Sequence, residues 1–520
     1  MSWQAETDEI RKRRKLATAQ GGKAAIRKHH DRGKLTIRER IELLLDKGTF
    51  KEHGRLAGGA ELDEHREVLQ FTPANYVVGL GKINNRTVVI GGEDFTLKGG
   101  SPNAAGLRKS VYAEHAALNT RVPLIRLLEG GGGSVETGAK DFRKPRTVGH
   151  AVYEPHRFAV IADAMAHVPV VSAAVGPVAG FPAGRLVASH FSVMVAGISQ
   201  VMIGGPALVE RALGQAIDKE DLGGVDVHRK SGIVDNVATD EADAFEQIRR
   251  FLSYLPSNVW EKADRTICDD PTDRSEESLL TLVPRDRRRT FNIRKAIKGV
   301  VDKGSFFEFS AGYGPSLVIG LARINGQCIG VTANDCRFFA GAMTAEAAIK
   351  MRRLIELCDC FHLPVLNFVD EPGFMIGPGA ESNGTIRFGM AAVSAAAKAQ
   401  TPWASVLVRK NFGVASAAHF GPDSYRLNWP SAESGALPLE GGVAVAYRRK
   451  IMEADDPTSM RQQLEAKMEA ERSPYLSAES FAIHDLIDPR ETRSALCDWV
   501  EWIQPKLETL TGPVSFTIRP

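Results

Sequence analysis

Apolar residues along this chain fall into two spacings. Three- and four-residue intervals run through AEAAIKMRRLIELCDCF at 345–361 and predict an amphipathic helix. Short continuous apolar runs beside a proline, such as VPLIRLL at 122–128 and HVPVVSAAV at 167–175, predict buried strands of a largely parallel sheet. The same succession is written twice. IRERIELLLDKGTFKE at 37–52 is matched by IRKAIKGVVDKGSFFE at 293–308, with eight of sixteen positions identical at a constant offset of 256. Each copy is followed by an apolar strand ending in an acid, Asp94 or Asp335. A proline, Pro123 or Pro364, follows each acid 29 residues later and opens a further strand. A second proline-led strand starts near His167 and near Thr401; there the offset is 233, which sets Gly180 opposite Gly413. Strand, helix, strand, glycine turn, helix, strand, glycine turn is an α/β plan, and its repetition predicts two similar tandem domains. The charged, proline-bearing stretch at 264–288 reads as a linker between a first domain at 37–263 and a second at 289–520. Residues 1–36 read as a helical arm.

Length and charge narrow the class. A chain of 520 residues exceeds one ordinary core. A net charge of +3 is too near balance to argue for nucleic acid. The basic clusters at 11–15 and 27–34 alternate with acids and helix formers, which predicts a solvated arm. Six cysteines at 268, 328, 336, 358, 360 and 497 form no C-x-x-C pair, so neither a zinc ribbon nor a thioredoxin-like site is indicated. Cys358 and Cys360 are expected at a helix end, and free thiols suit a reducing compartment, cytoplasm first and mitochondrial matrix second. The longest uncharged segment, 186–209, has the length of a membrane span. It also carries His190, Ser192, Gln200 and a Gly-Gly-Pro triplet, so it reads as buried core or subunit interface and no membrane partner is expected.

Glycine carries the chemistry. LLEGGGGSVETG at 127–138 ends a strand in four glycines, a conformational-entropy cost that asks for a use of bare backbone. Ligands in open α/β sheets sit beyond the carboxyl ends of strands. A glycine turn there can aim adjacent backbone N–H groups at one oxygen, as an oxyanion hole does. Gly180-Phe181 and Gly413-Val414-Ala415 occupy equivalent places, so two related holes are expected, one per domain. A phosphate loop is the rival, but GSVETGAK at 133–140 has Ala139 where that signature needs lysine. No H-E-x-x-H, G-x-S-x-G or metal-spaced cluster appears, and no metal is expected. Asp370 and Glu371 end a strand, but strand neighbours point to opposite faces, so a pair working on one substrate is not implied. Lys350 in AIKM is rejected as a biotinylated lysine, because it lies within a helical pattern.

These residues resemble the carboxyltransferase (β) subunits of biotin-dependent acyl-CoA carboxylases, the propionyl-CoA and methylcrotonyl-CoA carboxylase group. The similarity runs from about Lys23 to about Trp502, through GKLTIRERIELLLDKGTFKE at 33–52, GGPALVERALGQAIDKEDLGG at 204–224, VDEPGFMIGPGAESNGTIRFG at 369–389 and NWPSAESGALPLEGGVAV at 428–445. The E-x-N-G-x-I-R-x-G wording at 381–389 is nearer the propionyl-CoA type. The resemblance implies two tandem crotonase-like domains. It implies acyl-CoA on the first and carboxybiotin on the second, both anions held by backbone N–H groups, and biotin as proton acceptor.

On that resemblance the first hole falls at Gly180 and Phe181 and the second at Val414 and Ala415, with Gly131, Gly132, Gly413 and Ala417 against the substrates. The family's usual Gly-Gly-Ala is here Gly180-Phe181-Pro182, and proline brings no N–H. Val414 replaces a glycine, Glu129 an aspartate and Ser134 an arginine. Small, apolar Ala417 lines the family's acyl pocket, which allows a larger acyl chain. The implied partners are a biotin carboxylase and biotin carboxyl carrier subunit and further copies of this chain, a dimer at least and a hexamer by the family's habit. The alternatives are the carboxyltransferase of a biotin-dependent acyl-CoA decarboxylase and a non-catalytic assembly subunit.

Overall fold

The computed structural model describes residues 2–132, 134–135, 147–148, 157–470 and 473–514. Two compact units meet in sequence between residues 261 and 262. The first opens with helices α1 (Gln4–Thr18) and α2 (Lys23–His30). The acids of α1 pair with its own arginines three and four residues on, Asp8 with Arg11 and Glu9 with Arg13, as expected of a solvated arm. The second basic cluster is not wholly solvated, because His29 and Lys34 are buried. Helix α3 (Ile37–Leu44) starts at a capping box formed by Thr36 and Glu39 and buries Ile37, Arg40, Ile41 and Leu44.

The first sheet contains β1 (Lys51–Glu52), β2 (Tyr76–Ile83), β3 (Arg86–Glu93), β4 (Leu124–Gly131), β5 (Val170–Ala179), β6 (Phe191–Val195), β7 (Gln200–Met202) and β8 (Asn236–Ala238). Its order is β1-β2-β3-β4-β5-β6-β8, with β7 added beside the end of β5. The β1–β2 and β2–β3 pairs are antiparallel; the remaining pairs are parallel and need crossovers. Helix α4 (Ala104–Thr120), capped by Asn103, makes the crossover from β3 to β4, and α5 (Arg157–His167) leads into β5. A short helix, α6 (Phe181–Val187), follows β5 directly.

The second unit repeats this plan. Helix α7 (Ile293–Val300) precedes β9 (Phe307–Phe309), β10 (Leu317–Ile324), β11 (Gln327–Asn334), β12 (Val365–Glu371), β13 (Trp403–Phe412), β14 (Tyr425–Asn428), β15 (Glu433–Gly435) and β16 (Asp485–Leu486). The order is β9-β10-β11-β12-β13-β14-β16, with β15 beside the end of β13. Helix α8 (Ala345–Cys360), capped by Thr344, is the crossover before β12, and α9 (Thr385–Lys398) the one before β13. A 3-10 turn at Val414–His419 stands where α6 stands in the first copy. Even the irregularities repeat: register slips between Leu128 and Gly130 in β4, and between Val369 and Glu371 in β12. This is the duplicated crotonase-like fold.

The central strands are buried along nearly their whole length, as parallel strands covered by helices must be. The uncharged segment 186–209 supplies β6, β7 and the turn between them rather than a membrane span, and no helix among the described residues is long and apolar enough to cross a membrane. The stretch at 264–288 packs on the second unit: Leu279 is buried in its core, and Arg274 donates to the carbonyls of Gly299 and Val301. Lys350 lies inside α8, buried, and donates to the carbonyls of Tyr313 and Leu317. Two small antiparallel pairs, Gly58–Leu62 with Val68–Pro73 and Ser134–Val135 with Thr147–Val148, belong to the first unit alone among the described residues.

Candidate active site

The two glycine turns are built alike. Gly180, at the end of β5, has φ +66°, and Gly413, at the end of β13, has φ +68°, a region that a side chain disfavours. Each glycine donates its N–H to the added strand at 3.2 Å, Gly180 to the Met202 carbonyl and Gly413 to that of Gly435. The chain then enters a helical turn, so the next N–H groups project from a helix start. At the second turn those groups belong to Val414 and Ala415, and neither donates a hydrogen bond to another of the described residues. Val414 is 59% exposed and Ala415 is fully buried, so solvent and a ligand reach the pair from Val414's side. Ala417 is exposed on the same turn. At the first turn the leading N–H is that of Phe181, and Pro182 follows without one. The Phe181 ring lies 4.8 Å from the Arg185 guanidinium and edge-on to Phe158 at 5.3 Å.

The glycine-ended strand β4 runs beside the first turn. Gly131 pairs with Ala179, the last residue of β5. A β-carbon on Gly132 would stand 2.2 Å from the backbone nitrogen of Phe181, and one on Gly130 2.7 Å from the Gly100 carbonyl oxygen. Part of the bare backbone is therefore explained within the chain: two other main-chain segments lie against it. Gly131, Gly132, Phe181 and Pro182 line one small cavity, about 30 Å³, together with Tyr76, Glu93, Ser110 and Arg185. All four predicted first-domain residues are thus in one place, and so are the four of the second domain. Gly133 and the side chain of Ser134 lie outside the described residues.

Sequence reasoning missed the charges beneath the first turn. Glu129, fully buried, receives Lys34 at 3.0 Å and Arg40 at 2.5 Å. Arg40 also reaches Glu241 at 2.5 Å and the Val175 carbonyl at 2.7 Å. Burial pushes the Lys34 ammonium below and the Glu241 carboxyl above their ordinary ranges, while Glu129 and Arg40 respectively oppose the shifts. Deeper in, Arg126 and Arg185 share Glu114 at 3.1 and 3.0 Å. None of these pairs is near in sequence, and only the fold assembles them.

Glu93 stands at the repeat position of Asn334. Asn334 accepts the Asp370 N–H through its amide oxygen and donates through its nitrogen to the Gly341 carbonyl. Glu93 likewise accepts the Glu129 N–H, at 3.3 Å, but an ionised carboxylate cannot donate. Burial raises the Glu93 carboxyl above the ordinary range, with Arg185 opposing. The folded chain then holds this proton more tightly than the unfolded one, so ionisation costs stability as pH rises beyond the ordinary carboxylate range. Glu93→Gln is expected to raise the thermal midpoint at neutral pH, and the gain should vanish as pH falls toward about 4.3. A gain independent of pH in unfolding scans would refute the assignment.

The second unit's strand-end acids are both engaged. Asp370 takes Arg409 through two bonds, at 3.1 and 2.8 Å. Glu371 accepts from the Gly373 N–H at 2.9 Å, from Asn334 at 3.0 Å and from His419 at 3.1 Å. They face different partners and neither is placed to take a proton from a ligand at the turn. All six cysteines are free and five are buried; Cys360 closes α8 as expected. Among the described residues no cluster of potential metal ligands forms.

Comparison with known proteins follows this geometry. A model of the carboxyl transferase domain matches residues 28–511. The propionyl-CoA carboxylase carboxyltransferase subunit of Haloferax mediterranei is 33% identical over 502 residues, covering 95% of each chain. The human mitochondrial propionyl-CoA carboxylase beta chain is 31% identical, covering 94% of this chain and 89% of its own. The crystal structure of the hexameric transcarboxylase 12S with methylmalonyl-coenzyme A superposes with a TM-score of 0.85 at 27% identity, over 100% of this chain and 98% of that one. A single-chain, multi-domain long-chain acyl-CoA carboxylase gives 0.81 at 28% identity, over 97% of this chain and 49% of that one.

Proposed function

The chain belongs to the carboxyl transferase family and is a carboxyltransferase of the propionyl-CoA carboxylase type, and on that premise we propose that its two glycine turns hold the two anions of the reaction. The first half, 37–263, takes an acyl-CoA thioester. The second, 289–520, takes carboxybiotin delivered by a biotin carboxylase and carrier partner. The observation that carries this reading is the equivalence of the turns: the same glycine φ, the same 3.2 Å bond to the added strand, and N–H groups presented at a helix start.

Carboxybiotin, when bound, supplies the carboxyl group as carbon dioxide and takes the acyl α-proton at its ureido group. The residues of this chain do the rest by position. The Phe181 N–H meets the thioester oxygen and stabilises the charge that gathers there as the α-proton leaves. The N–H groups of Val414 and Ala415 hold the ureido oxygen; their lack of acceptors among the described residues and Val414's exposure fit such a guest. The acids near the second turn are already engaged, which favours a proton acceptor brought by the partner. Gly131 and Gly132 carry the acyl portion past the first turn, Gly413 flanks the biotin ring, and Ala417 lines the acyl pocket.

Propionyl-CoA is the substrate proposed. The names of the relatives support a short acyl group. Large apolar side chains left exposed in the second half, among them Ile376, Ile386 and Met390, support assembly into a dimer at least, and the hexameric neighbour supports a ring of six. Free thiols support a reducing compartment, the cytoplasm in a prokaryote.

The test is reconstitution with a biotin carboxylase and its biotinyl carrier, ATP and labelled bicarbonate, against acyl-CoAs of increasing length. Acid-stable label is expected on propionyl-CoA before longer chains. If carboxybiotin forms and no acyl-CoA is labelled, forward transfer falls. The decarboxylase or the assembly role would then move ahead, and the missing Pro182 N–H argues for assembly.

A further inference from the structure

The duplicated fold contains its own control for side chains that folding does not require. His419 ends the 3-10 turn that begins at Val414, and it is completely buried. Its Nε2 lies 3.1 Å from Glu371, which is also completely buried. Its Nδ1 has no hydrogen-bond partner among the described residues. A buried imidazole with one nitrogen unmatched costs free energy. The first unit avoids that cost: the repeat places Leu186 where His419 stands and Gly130 where Glu371 stands, and Leu186 is buried in an apolar cluster. The same turn therefore forms without this pair.

The pair ties down what carries the second turn. Glu371 sits at the register slip of β12, paired with Asn411, two residues before Gly413. Its two oxygens gather the Gly373 N–H, Asn334 from the end of β11, and His419 from the far end of the turn. The backbone of His419 is held as well, since Ser405 Oγ donates to its carbonyl at 2.7 Å. The turn is thus fixed at Gly413, through its bond to Gly435, and again at His419, with Val414 and Ala415 between.

Resting on the reading that these two N–H groups hold the ureido oxygen, we infer that His419 and Glu371 are positioning residues for the carboxybiotin side of the reaction, with no counterpart on the acyl-CoA side. The hydrogen on Nε2 is what Glu371 takes; the pair acts through the turn and touches no substrate.

The test uses the assembled enzyme and follows carboxyl transfer from carboxylated propionyl-CoA to free biotin, which reports both halves in one assay. His419→Leu, the residue that the first unit carries, is expected to lower kcat roughly ten- to hundredfold with the KM for the acyl-CoA unchanged. His419→Gln, whose amide can donate to Glu371, is expected to recover most of the loss. Glu371→Gln should act in the same direction as His419→Leu, and decides the matter if His419→Leu does not fold. Unchanged kcat in both, or equal loss of acyl-CoA and biotin parameters with no rescue by glutamine, overturns the inference. Val414→Pro, which deletes one N–H, separates the two readings. Loss in Val414→Pro with none in His419→Leu and Glu371→Gln refutes the positioning role alone. Full activity in Val414→Pro refutes the assignment of the turn itself.

Discussion

Gly132→Ala is expected to cost about two to three orders of magnitude in acyl-CoA carboxylation, the range seen when one oxyanion donor is lost. The added methyl would stand 2.2 Å from the Phe181 nitrogen and 3.1 Å from the Gly180 carbonyl carbon. Both are backbone atoms, and Gly180 is held in turn by its bond to Met202, so neither can swing away as a side-chain end could. Either β4 recedes or the turn does. In both cases the Phe181 N–H leaves its place beside Gly131 and Gly132. Pro182 cannot substitute for it, so this half has no second donor at the family's usual position. The matched control is Gly184→Ala, where no atom of the described residues lies within 4 Å of the new β-carbon. That change sits in α6 and should leave the rate near normal, with helix propensity slightly in its favour. Steady-state kinetics on both variants, with thermal midpoints alongside, decide the case; a normal kcat in Gly132→Ala would refute the placement of the first hole.

Much of this architecture was readable from the chain itself, because duplication makes a sequence its own alignment. The offset of 256, then 241 at the paired acids, then 233 at Gly180 and Gly413, tracked the shared plan of helix, antiparallel strands and parallel strands through both units. Gly180 and Gly413 were recognisable because a positive φ leaves a compositional mark. The glycine run was recognisable too, but its reason was only half visible. Gly130 and Gly132 are bare where Gly100 and Phe181 press on them, a contact between segments 30 to 50 residues apart that no local pattern records. The charged layer beneath was not legible as a cluster. Lys34 sat in a cluster that reads as a solvated arm, and Arg40 in a helix whose neighbours looked amphipathic. One signal was available: Glu129 lies near the end of a strand that is apolar but for Arg126, and a buried acid there demands a cation.

That acid carries the largest effect expected on stability. Glu129→Gln keeps the side chain's size and removes its charge, leaving Lys34 and Arg40 buried with Glu241 as their remaining acid. Breaking one partner of a buried ionic cluster costs about 3–5 kcal/mol, chiefly because the orphaned charges stay desolvated. Repacking is limited. A β-carbon at Gly176 would already lie 2.2 Å from Glu129 Oε1, so the carboxylate fills its slot. The loss should appear as a lower unfolding midpoint and as faster tryptic cleavage of the N-terminal arm, because Lys34 and His29 of that arm both reach β4 through Glu129. A second change isolates the cause. Lys34 lies 5.4 Å from the Phe95 ring in an otherwise buried site, so Lys34→Met offers an apolar replacement of similar length. If the cost is unpaired charge, Glu129→Gln with Lys34→Met is more stable than Glu129→Gln alone. If the double variant is the less stable, the stabilisation lies in the hydrogen bonds that Lys34 still makes, and the charge argument fails.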